Sequence, residues 1–493
     1  MEFTMIETGW VSILPPLIAI TLALLTKEVY SSLFIGLFSG MPIYSFAGGG
    51  TVITAVSTTF DMMCSKLADN AYMIIFLALL WSVVEMVSKS GGSEAYGRWA
   101  GKWLRTRRAA SFATSLLGVL IFIDDGFNCL TVGTVMRPIT DRMRISREKL
   151  AYIIDATAAP VCIIAPVSSW AVAVASEVSE TGGFHIFLST IPYNLYALLT
   201  IVMVFFVCYT GKDFGPMKKA EEAALKAEVQ AEETAATAEK GRVIDLVLPI
   251  AVLIVCAILG MAYVGGFFQG VSFSEAIGVN PTAGLTMGAF AGLFTAFLMY
   301  IPRGLMTPKE FVGNIVSGIG NIVPPMLILI LSWSLGGVCR QLIGTGVFIS
   351  GFVETANLPL GFLPFLIFIV AAVMSFAMGS SWGTFGMLIP IVTMICASEG
   401  AGALLIPTLS ATLAGSVYGD HCSPLSDTTI LASTGAACEH IRHVETQFPY
   451  ATLVAVLCGA GYLISGLTLN PWIALAACTA LLIAAIMVLS RKD

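Results

Sequence analysis

Apolar stretches of roughly membrane-spanning length recur along nearly the whole chain, separated by short polar segments. They predict helical spans over 10–25, 30–47, 71–88, 184–209, 243–264, 283–301, 322–338, 448–467 and 472–489. Two more, over 150–176 and 403–434, are broken by polar residues and a proline. The stretches 109–139 and 361–397 are apolar at both ends and polar midway. Non-helical backbone at membrane depth must be buried in protein or line an aqueous cavity, so both are read as re-entrant hairpins that enter and leave on one side. The pattern describes an all-α polytopic membrane protein of about 11 transmembrane helices plus two re-entrant hairpins.

Composition agrees. The 493 residues are 57% hydrophobic and 11% charged, with a mean hydropathy of +0.88. Soluble domains carry roughly 25% charged residues, which excludes that class. No basic tail points to nucleic acid, so the bilayer is the expected macromolecular partner. The acidic start, Met1 to Glu7, lacks the basic region and cleavage site of a signal peptide, so 10–25 is read as a retained span. The 11 cysteines contain no CxxC pair and mostly sit in apolar surroundings, where cysteine packs as a small hydrophobe. With 212–242 placed in the cytoplasm, every Lys and Arg except Lys66 and Arg340 falls on the inner side. That predicts a multi-pass protein of the plasma (inner) membrane with a cytoplasmic C-terminus.

The segment 212–242, rich in Ala, Glu and Lys, reads as an exposed helix or flexible tether that divides the chain. The first half, 1–211, holds scaffold helices, hairpin 109–139 and broken helix 150–176. The second, 243–467, holds hairpin 361–397 and broken helix 403–434, and 468–493 forms a C-terminal helix. Ala156-Thr157 ahead of Pro166 corresponds to Ala411-Thr412 ahead of Pro424. An odd number of crossings in the first half inverts the second, which predicts two inverted-topology repeats with broken helices.

Candidate chemistry concentrates at four points. Asp124-Asp125-Gly126-Phe127-Asn128 interrupts the first hairpin and offers two carboxylates and an amide carbonyl. Gly379-Ser380-Ser381-Trp382-Gly383-Thr384 interrupts the second; its hydroxyls suit a hard cation, and its free N–H groups suit an anionic group. Around Pro166 lie Thr157, Ser168, Ser169 and Trp170, and the proline frees a carbonyl near Cys162 that can bind a cation. Around Pro424 lie Asp420, His421, Ser423, Ser426, Asp427, Thr428 and Thr429. A charge near the bilayer midplane costs several kcal/mol, so it persists only for a pathway, a partner or an ion. Asp427 ranks above Asp420 and His421 in this stretch, and His421 reads equally as a proton relay or a structural group. Asp155 either joins the site or pairs with the basic loop 137–149, and Glu177 lies near the end of its span. Glu85 is expected to pair with Lys89. Glu439-His440-Ile441-Arg442-His443 is not the HExxH zinc motif and reads as a cytoplasmic loop. No catalytic residue and no cofactor are implied, and an intramembrane aspartyl protease is disfavoured because Asp420 lacks a GxGD context.

In these strings, and in Met136-Arg137-Pro138-Ile139-Thr140-Asp141-Arg142 and Ile145-Ser146-Arg147-Glu148-Lys149-Leu150-Ala151-Tyr152, the chain resembles the NhaC-type sodium/proton antiporter family. That family belongs with the superfamily of divalent-anion/sodium symporters, distinct from the NhaA fold. The resemblance implies a homodimer and an elevator-type transporter, whose transport domain moves against a scaffold. It joins Asp124, Asp125 and Asn128 with Ser168 and Ser169 as one half-site. Ser380, Ser381 and Thr384 with Ser423, Ser426 and Asp427 form the other, and Na+ is expected at Asp124, Asn128, Ser423 and Asp427. The symporter relatives carry Ser-Asn-Thr at their tips; the Asp-Asp here favours cations or protons over a multiply charged anion. The implied activity is Na+/H+ antiport by alternating access, with Na+ and H+ as coupling ions. The alternative is Na+- or H+-coupled transport of a small organic acid or amino acid, for which Trp170 and Trp382 would supply aromatic walls.

Overall fold

The structure is a computed structural model that describes residues 4–26, 28–100, 104–178, 182–226, 241–345, 347–348, 360–398, 401–424 and 426–492. The tether region 227–240 lies outside the described residues. All regular structure among the described residues is helical, and nine helices there are long and apolar enough to cross a membrane.

The first-half helices are α1 (Leu14–Thr26), α2 (Val29–Ala47), α3 (Val52–Asp69), α4 (Ala71–Lys89), α5 (Gly92–Ala100), α6 (Arg107–Leu120) and α7 (Asp125–Arg142). They continue with α8 (Arg147–Thr157), α9 (Ala159–Cys162), α10 (Ser169–Val178), α11 (Gly183–Thr190), α12 (Leu195–Thr210) and α13 (Gly215–Lys226). The second half contributes α14 (Val243–Val264), α15 (Phe273–Val279), α16 (Pro281–Tyr300), α17 (Pro308–Gly337), α18 (Leu363–Met378) and α19 (Ser381–Cys396). It closes with α20 (Leu405–Cys422), α21 (Asp427–Ala436), α22 (His440–Thr468) and α23 (Pro471–Lys492).

Both halves show the same local order: two helices joined at a polar tip (α6–α7, α18–α19), then a helix interrupted at a proline-bearing break (α8–α10, α20–α21). Three expectations change. A helix over Val52–Asp69 was not anticipated, because Thr, Ser and Asp dilute its apolar face. The span expected over 184–209 is two helices; Pro192 follows α11, and Asn194 caps α12 by accepting from the Ala197 N–H. Residues 440–447 begin α22 rather than forming a loop, since a helix of 29 residues reaches well beyond the apolar run.

The helices fall into two packed groups. On one side α4, α14, α16 and α17 pack together, with α2 and α3 against α17. On the other, α18 packs on α20, α22 on α20 and α23, and α21 on α7 and α8. The α7–α21 crossing depends on glycine: a Cβ on Gly133 would stand 2.5 Å from the Gly435 carbonyl carbon. α17 reaches across to α10 and α19, so it borders both groups.

Candidate functional site

Each tip and each break is a helix N-terminus closed by its own side chain. Asp124, in extended conformation, caps α7 by accepting from the Phe127 N–H at 3.0 Å. Ser380 caps α19 by accepting from the Gly383 N–H at 3.2 Å, after Gly379 turns the chain at φ +67°. Ser168 accepts from the Ala171 N–H at 3.1 Å ahead of α10, and Ser426 from the Thr429 N–H at 3.4 Å ahead of α21. Short polar side chains are needed here because the first N–H groups of a helix have no partner within it.

Three of these four ends open on one cavity of about 310 Å³. Asp124, Asp125 and Gly126 line it from the first tip, Gly379, Ser380, Ser381 and Trp382 from the second, and Asp420, Asp427 and Thr428 from the second break. Tyr30, Trp81, Asn321, Pro324 and Ile328, from α2, α4 and α17, form the facing wall. The cavity therefore lies between the two packed groups of helices. Asp124, Asp125 and Asp420 are buried, whereas Asp427 is exposed. Four carboxylates line the space, and no Lys, Arg or His does among the described residues.

The remaining candidates stand behind this lining. Ser169 donates to Asp124 Oδ2 at 3.1 Å, while its own N–H donates to the Ile123 carbonyl, which ties the first break to the first tip. Ser168 donates to the Cys162 carbonyl at 2.8 Å. The carbonyl expected to be free for a cation is thus satisfied within the break. Asn128 Nδ2 reaches the carbonyls of Gly118, Ile121 and Thr157 at 2.6, 2.9 and 3.0 Å, a brace across the hairpin, and leaves Oδ1 without a partner among the described residues. Thr157 returns its hydroxyl to Ile153. Thr384 donates to the Ser380 carbonyl at 2.9 Å, and Trp170 is buried against Trp382 and Phe385 with ring centroids 5.7 Å away. Ser423 and Ser426 are buried in the turn between α20 and α21. Of the expected Na+ ligands, Asp124 and Asp427 line the cavity, and Asn128 and Ser423 do not. Thr428 bridges inward, its hydroxyl 3.4 Å from Asp420 Oδ2.

His421 turns away from the cavity. Its Nδ1 lies 2.8 Å from the Tyr196 hydroxyl, and its Nε2 lies 3.9 Å from Asp155 Oδ2. Asp155 accepts from Gln447 Nε2 at 2.7 Å and lies 3.2 Å from His443 Nε2, which places it in a buried cluster on the α22 side. His443, expected in a loop, is fully buried in this cluster. Glu85 and Lys89 do pair, at 3.9 Å. The sequence reading also missed the facing wall. Asn321, a polar residue just ahead of Pro324-Pro325 in an apolar helix, carried a signal; Tyr30, Trp81 and Ile328 carried none.

A helical membrane protein with a carboxylate-lined cavity between two packed groups of helices is built as a secondary transporter. The chain belongs to the Na+/H+ antiporter family, whose sequence pattern matches residues 171–467. A Haemophilus influenzae protein described as uncharacterized is 37% identical over 512 residues, covering 100% of this chain and 98% of that one. The malate-2H(+)/Na(+)-lactate antiporter of Bacillus subtilis is 33% identical over 183 residues, 35% of this chain and 37% of that protein. In structure the chain is similar to the YdaH transporter of Alcanivorax borkumensis, with a TM-score of 0.60 at 11% identity, covering 83% of this chain and 88% of that one. The last likeness concerns the fold alone.

Proposed function

We propose that the protein exchanges Na+ for H+ by alternating access, with the carboxylates of the central cavity binding the two cations in turn. The observation that carries this reading is the lining: Asp124, Asp125, Asp420 and Asp427 without a facing Lys, Arg or His among the described residues. Carboxylates sharing one cavity repel unless protons or metal cations neutralise them, so Na+ and H+ compete for the same oxygens. Oxygen donors from Ser380, Ser381 and Thr428 add the hard ligands that Na+ takes. In this reading α6–α7 and α18–α19 are re-entrant hairpins of two inverted repeats. The group of helices carrying them moves as an elevator against α2, α4 and α17, within a homodimer in the plasma (inner) membrane whose C-terminus is cytoplasmic.

A Na+ pulse applied to proteoliposomes with an imposed pH gradient tests the reading. Wild type should collapse the gradient and Asp420→Asn should not, whereas a wild type indifferent to Na+ would end the antiporter assignment. One observation favours a second reading, Na+- or H+-coupled carriage of a small organic acid or amino acid. About 310 Å³ exceeds what a cation needs, and Trp81 and Trp382 supply flat apolar walls. The part-length similarity to a malate and lactate carrier leans the same way. Stabilisation of the purified protein by an organic acid or amino acid in a thermal-shift screen would support it.

A further inference from the structure

Outside the cavity, one more carboxyl group is buried in the apolar interior. Glu177, near the end of α10, has no exposed surface, and neither carboxyl oxygen meets hydrogen-bond geometry with a partner among the described residues. It sits where α10 meets α17 and α19: a Cβ built on Gly386 of α19 would stand 2.9 Å from Ser332 Oγ of α17 and 3.6 Å from Glu177 Oε1. Ser332 is thus the polar neighbour of the carboxyl group, but its one hydroxyl proton goes to the Gly386 carbonyl at 2.7 Å. A hydroxyl has a single donor, so while its proton is on Gly386 Ser332 offers Glu177 only a lone pair, and turned towards Glu177 it donates to the carboxyl group instead. A lone pair pairs with a carboxylic acid and repels a carboxylate. Arg340 is the charged group facing Glu177; it belongs to the π-helical segment Val338–Leu342, and its Nη1 reaches the Glu177 backbone carbonyl at 3.5 Å rather than the carboxyl. From α19, α9 and the facing turns of α17 and α4 no other ionisable side chain acts on it among the described residues, and His185 of α11 is exposed.

We propose that Glu177 is a proton-binding site separate from the carboxylate cavity, holding its proton while α10 and α19 are closed on α17 and releasing it to water when they part. The proposal rests on the antiport reading, in which the group of helices containing α10 and α19 moves against α17. Parting that junction frees Ser332 from Gly386, hydrates the carboxyl group and lets the resulting carboxylate pair with Arg340, one side-chain length away. Reclosure then requires a proton from the other side, because an unpaired buried carboxylate costs several kcal/mol. The cavity carboxylates still exchange Na+ for H+, and Glu177 carries one further proton in each cycle.

The test uses the full chain in lipid and two readouts. In infrared spectra of wild type, a carboxylic-acid C=O band should be present at neutral pH, vanish in Glu177→Gln, and move in Ser332→Ala. No Glu177-sensitive acid band in wild type overturns the proposal whether or not the protein transports Na+. In proteoliposomes, Glu177→Gln should move fewer protons per Na+ than wild type while 22Na+ counterflow persists. Proton movement equal to wild type in that variant also overturns it. A wild type that moves no protons in response to Na+ removes the antiport reading instead, and the infrared band then decides the state of Glu177 alone. If Glu177→Gln does not fold, the band shift in Ser332→Ala decides, and an unmoved band counts against the proposal.

Discussion

Lys149 offers a prediction whose size follows from its contacts. It lies at the polar start of α8, ahead of the apolar run, and is buried with its Nζ 2.6 Å from Asp213 and 3.8 Å from Glu221. Glu221 sits on α13 and also accepts from Arg107 at the start of α6 and from the Ser146 N–H at 2.7 Å. These bonds fasten the segment after α12 to the base of the first hairpin. Burial works against the Lys149 charge, but Asp213 and Glu221 outweigh it and raise its pKa above the ordinary lysine value. Lys149→Met leaves Asp213 buried with the Tyr450 hydroxyl, at 2.9 Å, still donating to it. Removing one partner of a buried pair costs about 3–5 kcal/mol, and because both acids keep a second donor the lower end, about 3 kcal/mol, is expected. Replacing both partners, Lys149→Met with Asp213→Leu, should recover more than half of the loss. SDS-unfolding equilibria in mixed micelles give these free energies. A raised pKa contributes stability fully below the unfolded value of about 10.4 and loses it only above, so the cost should be equal at pH 6 and pH 9. A Lys149→Met protein as stable as wild type, or a double variant whose cost is the sum of its parts, would refute the reasoning.

Two further outcomes are expected from the same structure. Asp155→Ala strands the buried donors of Gln447 and His443, each worth about 1–3 kcal/mol, and should lower the unfolding free energy by roughly 2–4 kcal/mol; Asp155→Asn, which keeps an acceptor, should cost clearly less in the same titration. Gly133→Val sets a branched side chain 2.5 Å from the Gly435 backbone at the α7–α21 crossing and should abolish the monodisperse peak in size-exclusion chromatography, whereas Val at Gly304, whose Cβ direction is open, should keep it despite its positive φ.

The tips and breaks were legible because carboxylates, hydroxyls and prolines are conspicuous in an apolar chain, and a short polar residue before a helix has a definite capping use. Their convergence was also readable, through the order they share in both halves. The facing wall was not. Tyr30, Trp81 and Ile328 are ordinary residues of apolar helices, and only packing decides whether such a side chain meets lipid, core or cavity. Within 419–429 the candidates separate for a geometric reason: α20 continues to Cys422, which turns Asp420 to the cavity and His421 away from it, while Asp427 starts the next helix and lines the cavity from an exposed position. The Asp155–His443 contact joins residues 288 positions apart, on a helix whose polar first turns read as loop. No local pattern carries such a pairing.

The cavity carboxylates should hold Na+ or H+ but not both. Equilibrium binding of 22Na+ to the purified protein across pH tests it most directly. Saturable binding that acid displaces competitively, and that is lost in the Asp124→Asn/Asp420→Asn double variant, is expected. Binding that is absent, indifferent to pH, or unchanged in that variant would contradict it.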